Sequence, residues 1–251
     1  MLQLNLEGKM EFDPELGEDT WELFEVIEDS FGIDLGDYHE ICGMTVRELA
    51  EVICKKANYP IEDRCLSAVS FYRLRRAFEI LYGVPRRAIR TATSVGNLLP
   101  LKDRSTKWAM LQKHLGLTLP RLQFPGWLLL LVLIIPPALL VYMRASWGIR
   151  LSAIWIFDIS CALYLVTFVS IIPAVDERFP LSRVLPRACE TFGGLTKVVL
   201  ARNYATFASQ YGSSCDGGLS NALRQLIASQ LAMDPEEISP DTRIPHDLNI
   251  Y

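Results

Sequence analysis

The chain has 251 residues, a net charge of −4 and 22% charged residues, values that exclude a disordered tail and leave room for one or two small folded domains. An acidic total, with few aromatics interleaved among the basic residues, argues against a nucleic-acid partner. Cys42, Cys54, Cys65, Cys161, Cys189 and Cys215 form no C-x-x-C pair and no Cys/His cluster at zinc spacing, so they read as reduced, mostly buried thiols and no metal site is expected.

The first thirty residues are acidic and lack a basic start followed by an apolar run, so no signal peptide is expected. Asp19 to Phe31 reads as a helix with Trp21, Phe24, Ile27 and Phe31 on its apolar face, and Asp19 and Glu22 stand at capping-box spacing. Thr45 to Ala57 is a second amphipathic helix opened by a threonine cap, and the two helices fall in an acidic module, residues 1–58. Residues 1–43 hold thirteen Asp or Glu and one Lys, whereas residues 44–125 hold fifteen Lys or Arg against six acids. Within the basic module, residues 70–120, the side chains of Arg73, Arg75, Arg76, Arg86, Arg87 and Arg90 offer a face for an acidic helix of this or a neighbouring chain, or for anionic headgroups.

Two apolar runs follow. Phe124 to Met143 contains the uncharged stretch WLLLLVLIIPPALLV, and Leu151 to Ala174 contains one charge, Asp158. Each is long enough as a helix to cross a hydrocarbon core of roughly 30 Å, and the short link Arg144 to Arg150 makes them an antiparallel transmembrane hairpin, residues 124–174. Eight basic residues flank the pair and two lie in the link, which places both termini in the cytoplasm of a bacterial-type inner membrane. Asp158, ionisable within the membrane, is a candidate for proton or ion movement, or else a protonated partner for carbonyls freed by Pro136 and Pro137.

After the hairpin come a short helix in residues 188–205 and a helix with a long loop in residues 219–251, and these repeat earlier elements. TVRELAEVICKKA (Thr45 to Ala57) aligns at an offset of 146 with TFGGLTKVVLARN (Thr191 to Asn203). LRRAFEILYGVPRRAIRTATSVGNLL (Leu74 to Leu99) aligns at an offset of 149 with LRQLIASQLAMDPEEISPDTRIPHDL (Leu223 to Leu248). Two matches at nearly one offset argue for duplication.

These elements together resemble the acyl carrier protein fold and its divergent carrier-like relatives. Glu18 to Ile53 looks like the second, third and fourth helices of a carrier, and Leu223 to Leu248 like a first helix and loop, which is the order of a circular permutation. The other copy keeps the ordinary order, interrupted by the hairpin. The resemblance implies an all-α fold of two small carrier-like modules, one of them permuted, besides the two membrane helices. Carriers hold phosphopantetheine on the serine of a D-S-L sequence. This chain has no D-S-L, its Asp29-Ser30 lies at the end of a helix, and the second loop runs on as Asp247-Leu248-Asn249-Ile250-Tyr251. No cofactor is therefore expected.

Enzyme motifs are missing too: there is no G-x-S-x-G, no phosphate loop and no H-E-x-x-H, and His39, His114 and His246 stand apart from one another. The expectation is a non-enzymatic, membrane-anchored scaffold that binds the lipid bilayer and a protein partner or a second copy of itself. A working carrier at the membrane and a small oligomeric transporter are the rival readings.

Overall fold

The computed structural model describes residues 17–57, 59–60, 64–123, 134, 138, 142, 184–212 and 217–248. Among these residues the regular elements are all helical, joined by three isolated antiparallel bridges. The two apolar runs and Asp158 lie almost wholly outside the described residues, and among the described residues no helix is long and apolar enough to cross a membrane. The chain divides into two compact units: Met1–Leu98, Met110–Pro120 and Arg187–Tyr251 form one, and Leu99–Ala109 with Arg121–Pro186 form the other.

In the first unit, α1 (Glu18–Phe31) buries Leu23, Phe24, Ile27 and Phe31 completely, the one-sided stripe its sequence period dictates. The anticipated capping box at Asp19 and Glu22 does not form. The helix starts earlier, after Gly17, so Asp19 sits inside the first turn, where its charge opposes the helix dipole, and Glu22 instead accepts a 3.2 Å hydrogen bond from Gln230. Gly32 ends α1 in the left-handed region at φ 60°, and a side chain there would crowd Ala205 at 3.0 Å. A short helix α2 (Tyr38–Ile41) leads into α3 (Val46–Lys56), which does carry a capping box: Thr45 Oγ1 accepts from the Glu48 amide, and Glu48 Oε2 accepts from the Thr45 amide. That donation holds the Glu48 carboxyl below its ordinary range.

The second half of the unit is built from α4 (Leu66–Tyr82), the short α5 (Val95–Leu98), the C-terminal part of α6 (Arg104–Leu115), α7 (Phe192–Arg202), α8 (Tyr204–Tyr211) and α9 (Gly218–Leu231). Helix α7 is the hub, because α4, α9, α1 and α8 all pack on it. Its Phe192 is fully buried and meets Phe71 and Phe78 edge-on, with ring centroids 5.4 and 5.2 Å away. The polar lapse of α9 at Gln230 has a use: its carboxamide also accepts from Arg202 of α7, so it ties α1, α7 and α9 together.

The aligned segments make the same hydrogen bonds twice. The amides of Phe192 and Gly193 donate to the carbonyls of Thr93 and Thr91, as those of Val46 and Arg47 donate to Thr242 and Pro240. Val95 donates to Glu190 as Ile244 donates to Met44, and the bridge Ser94–Thr191 matches the bridge Thr45–Arg243. Within the loops, the Arg90 amide donates to Thr93 Oγ1 and the Ser239 amide to Thr242 Oγ1, at 2.8 and 2.9 Å. The Arg75 guanidinium donates to the Arg86 carbonyl, and Arg224 to that of Pro235. Both α4 and α9 end on a left-handed residue, Gly83 in one and Ala232 in the other. The loop that follows α4 is thus fastened to α7, whereas the loop that follows α9 is fastened to α3, near the opposite end of the chain.

In the second unit, Arg104 is 7% exposed, donates from Nε to the Leu99 carbonyl at 2.9 Å, and is pulled below its ordinary pKa by burial. Gln123 and Val184 exchange two backbone hydrogen bonds, 2.8 and 3.1 Å long, which fastens together the two ends of the segment carrying both apolar runs.

Candidate functional site

The six arginines of the anticipated basic face divide into two groups. Arg73 turns into the fold, where it donates to the Leu115 carbonyl at 2.9 Å and lies 5.6 Å from the centre of the Phe207 ring. Arg75 stays on the Arg86 carbonyl and near Phe71, and Arg86 pairs with Glu79 at 2.7 Å, a mostly exposed contact that contributes little. Three of the six are therefore engaged locally. Arg76, Arg87 and Arg90 have exposed side chains.

Beside Arg76, one helical turn away in each direction, Tyr72 and Ile80 are 63% and 58% exposed. The α4 surface is consequently a stripe of aromatic, arginine and aliphatic side chains with no neighbour described over it, a composition that interface cores favour. The acidic helix α1 packs elsewhere, on α7, α8 and α9. Its Glu28 accepts from the Leu35 amide and from the Tyr38 hydroxyl at 2.9 Å, and burial, followed by the Glu28 carboxylate, raises the phenol's pKa.

A second feature, a cleft of about 460 Å3, was not legible in the sequence. It opens where the first turn of α4 meets α7, α8, α9 and the loop after α9. Leu66, Leu200 and Ala222 supply apolar wall, Arg64, Lys197 and Arg224 supply positive charge, and Glu236 is the one acid in the described lining. Cys65, the N-cap of α4, is exposed at its edge, and the Ser67 hydroxyl 3.2 Å away, with first-turn amides, holds the thiol below its ordinary pKa. The residues come from four places in the chain, with no common spacing to reveal them.

Cys54 departs from the expectation of reduced thiols, because it is disulfide-bonded, while Cys42, Cys65 and Cys189 are free. Cys189 fits the buried-thiol reading, and burial pushes it up to about 12. His39, His114 and His246 are exposed, and among the described residues no group of His, Cys, Asp or Glu could hold a metal ion. No family model, no curated protein and no solved structure matches the chain.

Proposed function

We propose that the chain is a membrane-anchored interaction scaffold, two carrier-like helical modules without a prosthetic arm, held at the bilayer by a helical hairpin. The observation that carries the membrane part is the Gln123–Val184 bridge. A hairpin must return its two ends to one side of the membrane, and Gln123, next to the first run, is hydrogen-bonded to Val184, beyond the second. Ile134, Ala138 and Tyr142 add to this: they are helical, spaced by four and exposed, with Ile134 at 58% and Tyr142 at 66%, as side chains facing lipid would be.

The basic bias of the flanks assigns the modules to the cytoplasmic face, while a disulfide at Cys54 belongs more naturally to an oxidising compartment. A cysteine at Ser146, in the link between the runs, decides between them. With the cytoplasmic assignment, S146C in intact cells is labelled by an impermeant thiol reagent well above the wild-type background. Labelling only after the membrane is opened overturns that orientation.

The scaffold part rests on the exposed Tyr72, Arg76 and Ile80 stripe, with Arg87 and Arg90 also exposed in the loop that follows α4, a surface suited to an acidic protein partner. Reversing Arg76, Arg87 and Arg90 to Glu leaves the locally engaged arginines intact. In detergent extracts the wild type should hold its partner in a salt-sensitive way and the triple variant should lose it, by tenfold or more. Retention indifferent to both salt and reversal refutes the reading.

A further inference from the structure

Cys54 is disulfide-bonded while Cys42, Cys65 and Cys189 are free, so of the six cysteines in the sequence only Cys161 and Cys215 are left as its partner. Both lie outside the described residues, and the aligned segments decide between them. At the offset of 146 that matches α3 with α7, Cys54 stands where Leu200 does. At the offset of 149 that matches α9 with α4, carried back to the start of α4, Cys215 stands where Leu66 does.

Leu66 and Leu200 face each other where α4 packs on α7. Phe192 at the start of α7 meets Phe78 near the end of α4, and Ser70 Oγ donates to the Thr196 carbonyl at 3.3 Å, so the two helices run antiparallel in a fixed register. One turn back from Ser70 is Leu66 and one turn on from Thr196 is Leu200, both 8% exposed and both on the wall of the same cleft. Helix α3 lies on α9 in the same way, and Ala50 and Leu219, the counterparts of Thr196 and Ser70, are both buried. Cys54 is four residues after Ala50, and Cys215 is four residues before Leu219. Facing positions satisfy the short reach of a disulfide, about 4.4–6.8 Å between Cα atoms. Cys54 and Cys215 also fall in one compact unit, whereas Cys161 belongs to the other.

We propose that Cys54 and Cys215 of one chain form a redox-controlled disulfide that fastens the far end of α3 to the segment leading into α9. Backbone hydrogen bonds from Val46 and Arg47 to the loop after α9 hold the first turn of α3, and Cys54 lies two turns further on, half-buried and within reach of solution thiols. The bond forms by exchange: the two thiols give up two electrons and two protons to a small-molecule or oxidoreductase disulfide, which leaves as two thiols, and excess thiol reverses the step. It belongs to conditions in which thiols are oxidised, and it does not depend on the scaffold reading.

Full-length protein is extracted into mild detergent with N-ethylmaleimide present from lysis, digested without reductant and mapped by mass spectrometry. Expected is a linked pair of peptides, Cys54 with Cys215, from a species that runs as a monomer on a non-reducing gel. Cys54→Ser should expose one new alkylatable thiol at Cys215, and Cys215→Ser one at Cys54. Reductant should lower the wild-type Tm by about 10 °C and speed proteolysis of residues 18–57. Both variants, already lowered, should not respond to reductant, which separates loss of this bond from any other action of the thiol. Cys54 recovered unlinked, linked to Cys161 or linked to another copy overturns the proposal, and so does a reductant effect of equal size in Cys54→Ser.

Discussion

Deleting residues 218–251 should make residues 18–57 as protease-sensitive as an unfolded chain, and adding that segment back as a separate peptide should restore protection. The amides of Val46 and Arg47 and the carbonyl of Met44 are hydrogen-bonded to the loop after α9, and Leu223, Leu226 and Ile227 are fully buried in a helix that packs on α3, α1 and α7. Exposing several hundred Å2 of apolar surface at roughly 25 cal/mol per Å2 costs on the order of 10 kcal/mol. That is comparable with the whole stability of a domain, about 5–15 kcal/mol. The Arg47–Asp241 ion pair, 2.9 Å long but with both side chains largely exposed, adds little to this total. A truncated protein that resists protease as well as the intact one refutes the account. A swap between two chains would show the same sensitivity, so a T45C/R243C crosslink across the bridge is formed in mixed tagged and untagged protein. Recovery of untagged chain with the tag would identify the swap.

The second large effect runs against ordinary helix rules. In an exposed helix, replacing Gly by Ala stabilises by about 1 kcal/mol. Gly194 is the position equivalent to Glu48, the residue that closes the capping box of α3, so restoring a side chain there looks like an improvement. The opposite is expected. A Cβ at Gly194 falls 2.1 Å from the Ala188 carbonyl oxygen, and backbone cannot step aside as a flexible side chain does. Gly194→Ala should therefore lose about 3 kcal/mol, the upper part of the usual overpacking range. Restoring the glycine at the other divergent position should help: Ala232 holds φ 55° where its counterpart is Gly83, so Ala232→Gly should gain about 1 kcal/mol. Chemical denaturation of the two variants measures both, and a Gly194→Ala protein as stable as wild type contradicts the close approach.

The aligned segments were legible in the sequence because the residues that make their matching hydrogen bonds are the ones that align. Thr45 and Thr191 cap equivalent helices, and Ile89 and Ile238, Val95 and Ile244, Leu99 and Leu248 are all buried. Periodicity located α1 and α9 to within two residues. It gave no helix at α8, where Tyr204 and Phe207 are buried, and it placed the start of α4 too late, since repeat similarity begins at Leu74 and the helix at Leu66. The basic face was legible as charge alone. Nothing in the order of residues tells that Arg73 folds back onto the Leu115 carbonyl or that Arg86 pairs with Glu79, because long side chains take their direction from packing. The cleft was invisible for the same reason, being assembled from segments that only the tertiary fold brings together.

The fastening of α3 to the loop after α9 has a consequence for synthesis. The first three helices leave the ribosome long before Thr242 and Ile244 exist, and everything from Ala57 to Gly217 must be translated in between. At elongation rates of about 5–20 residues per second, Leu23, Phe24, Ile27 and Phe31 wait on the order of ten seconds for their cover. During that interval these apolar side chains stay exposed, and the N-terminal segment closes only when the other end of the chain arrives.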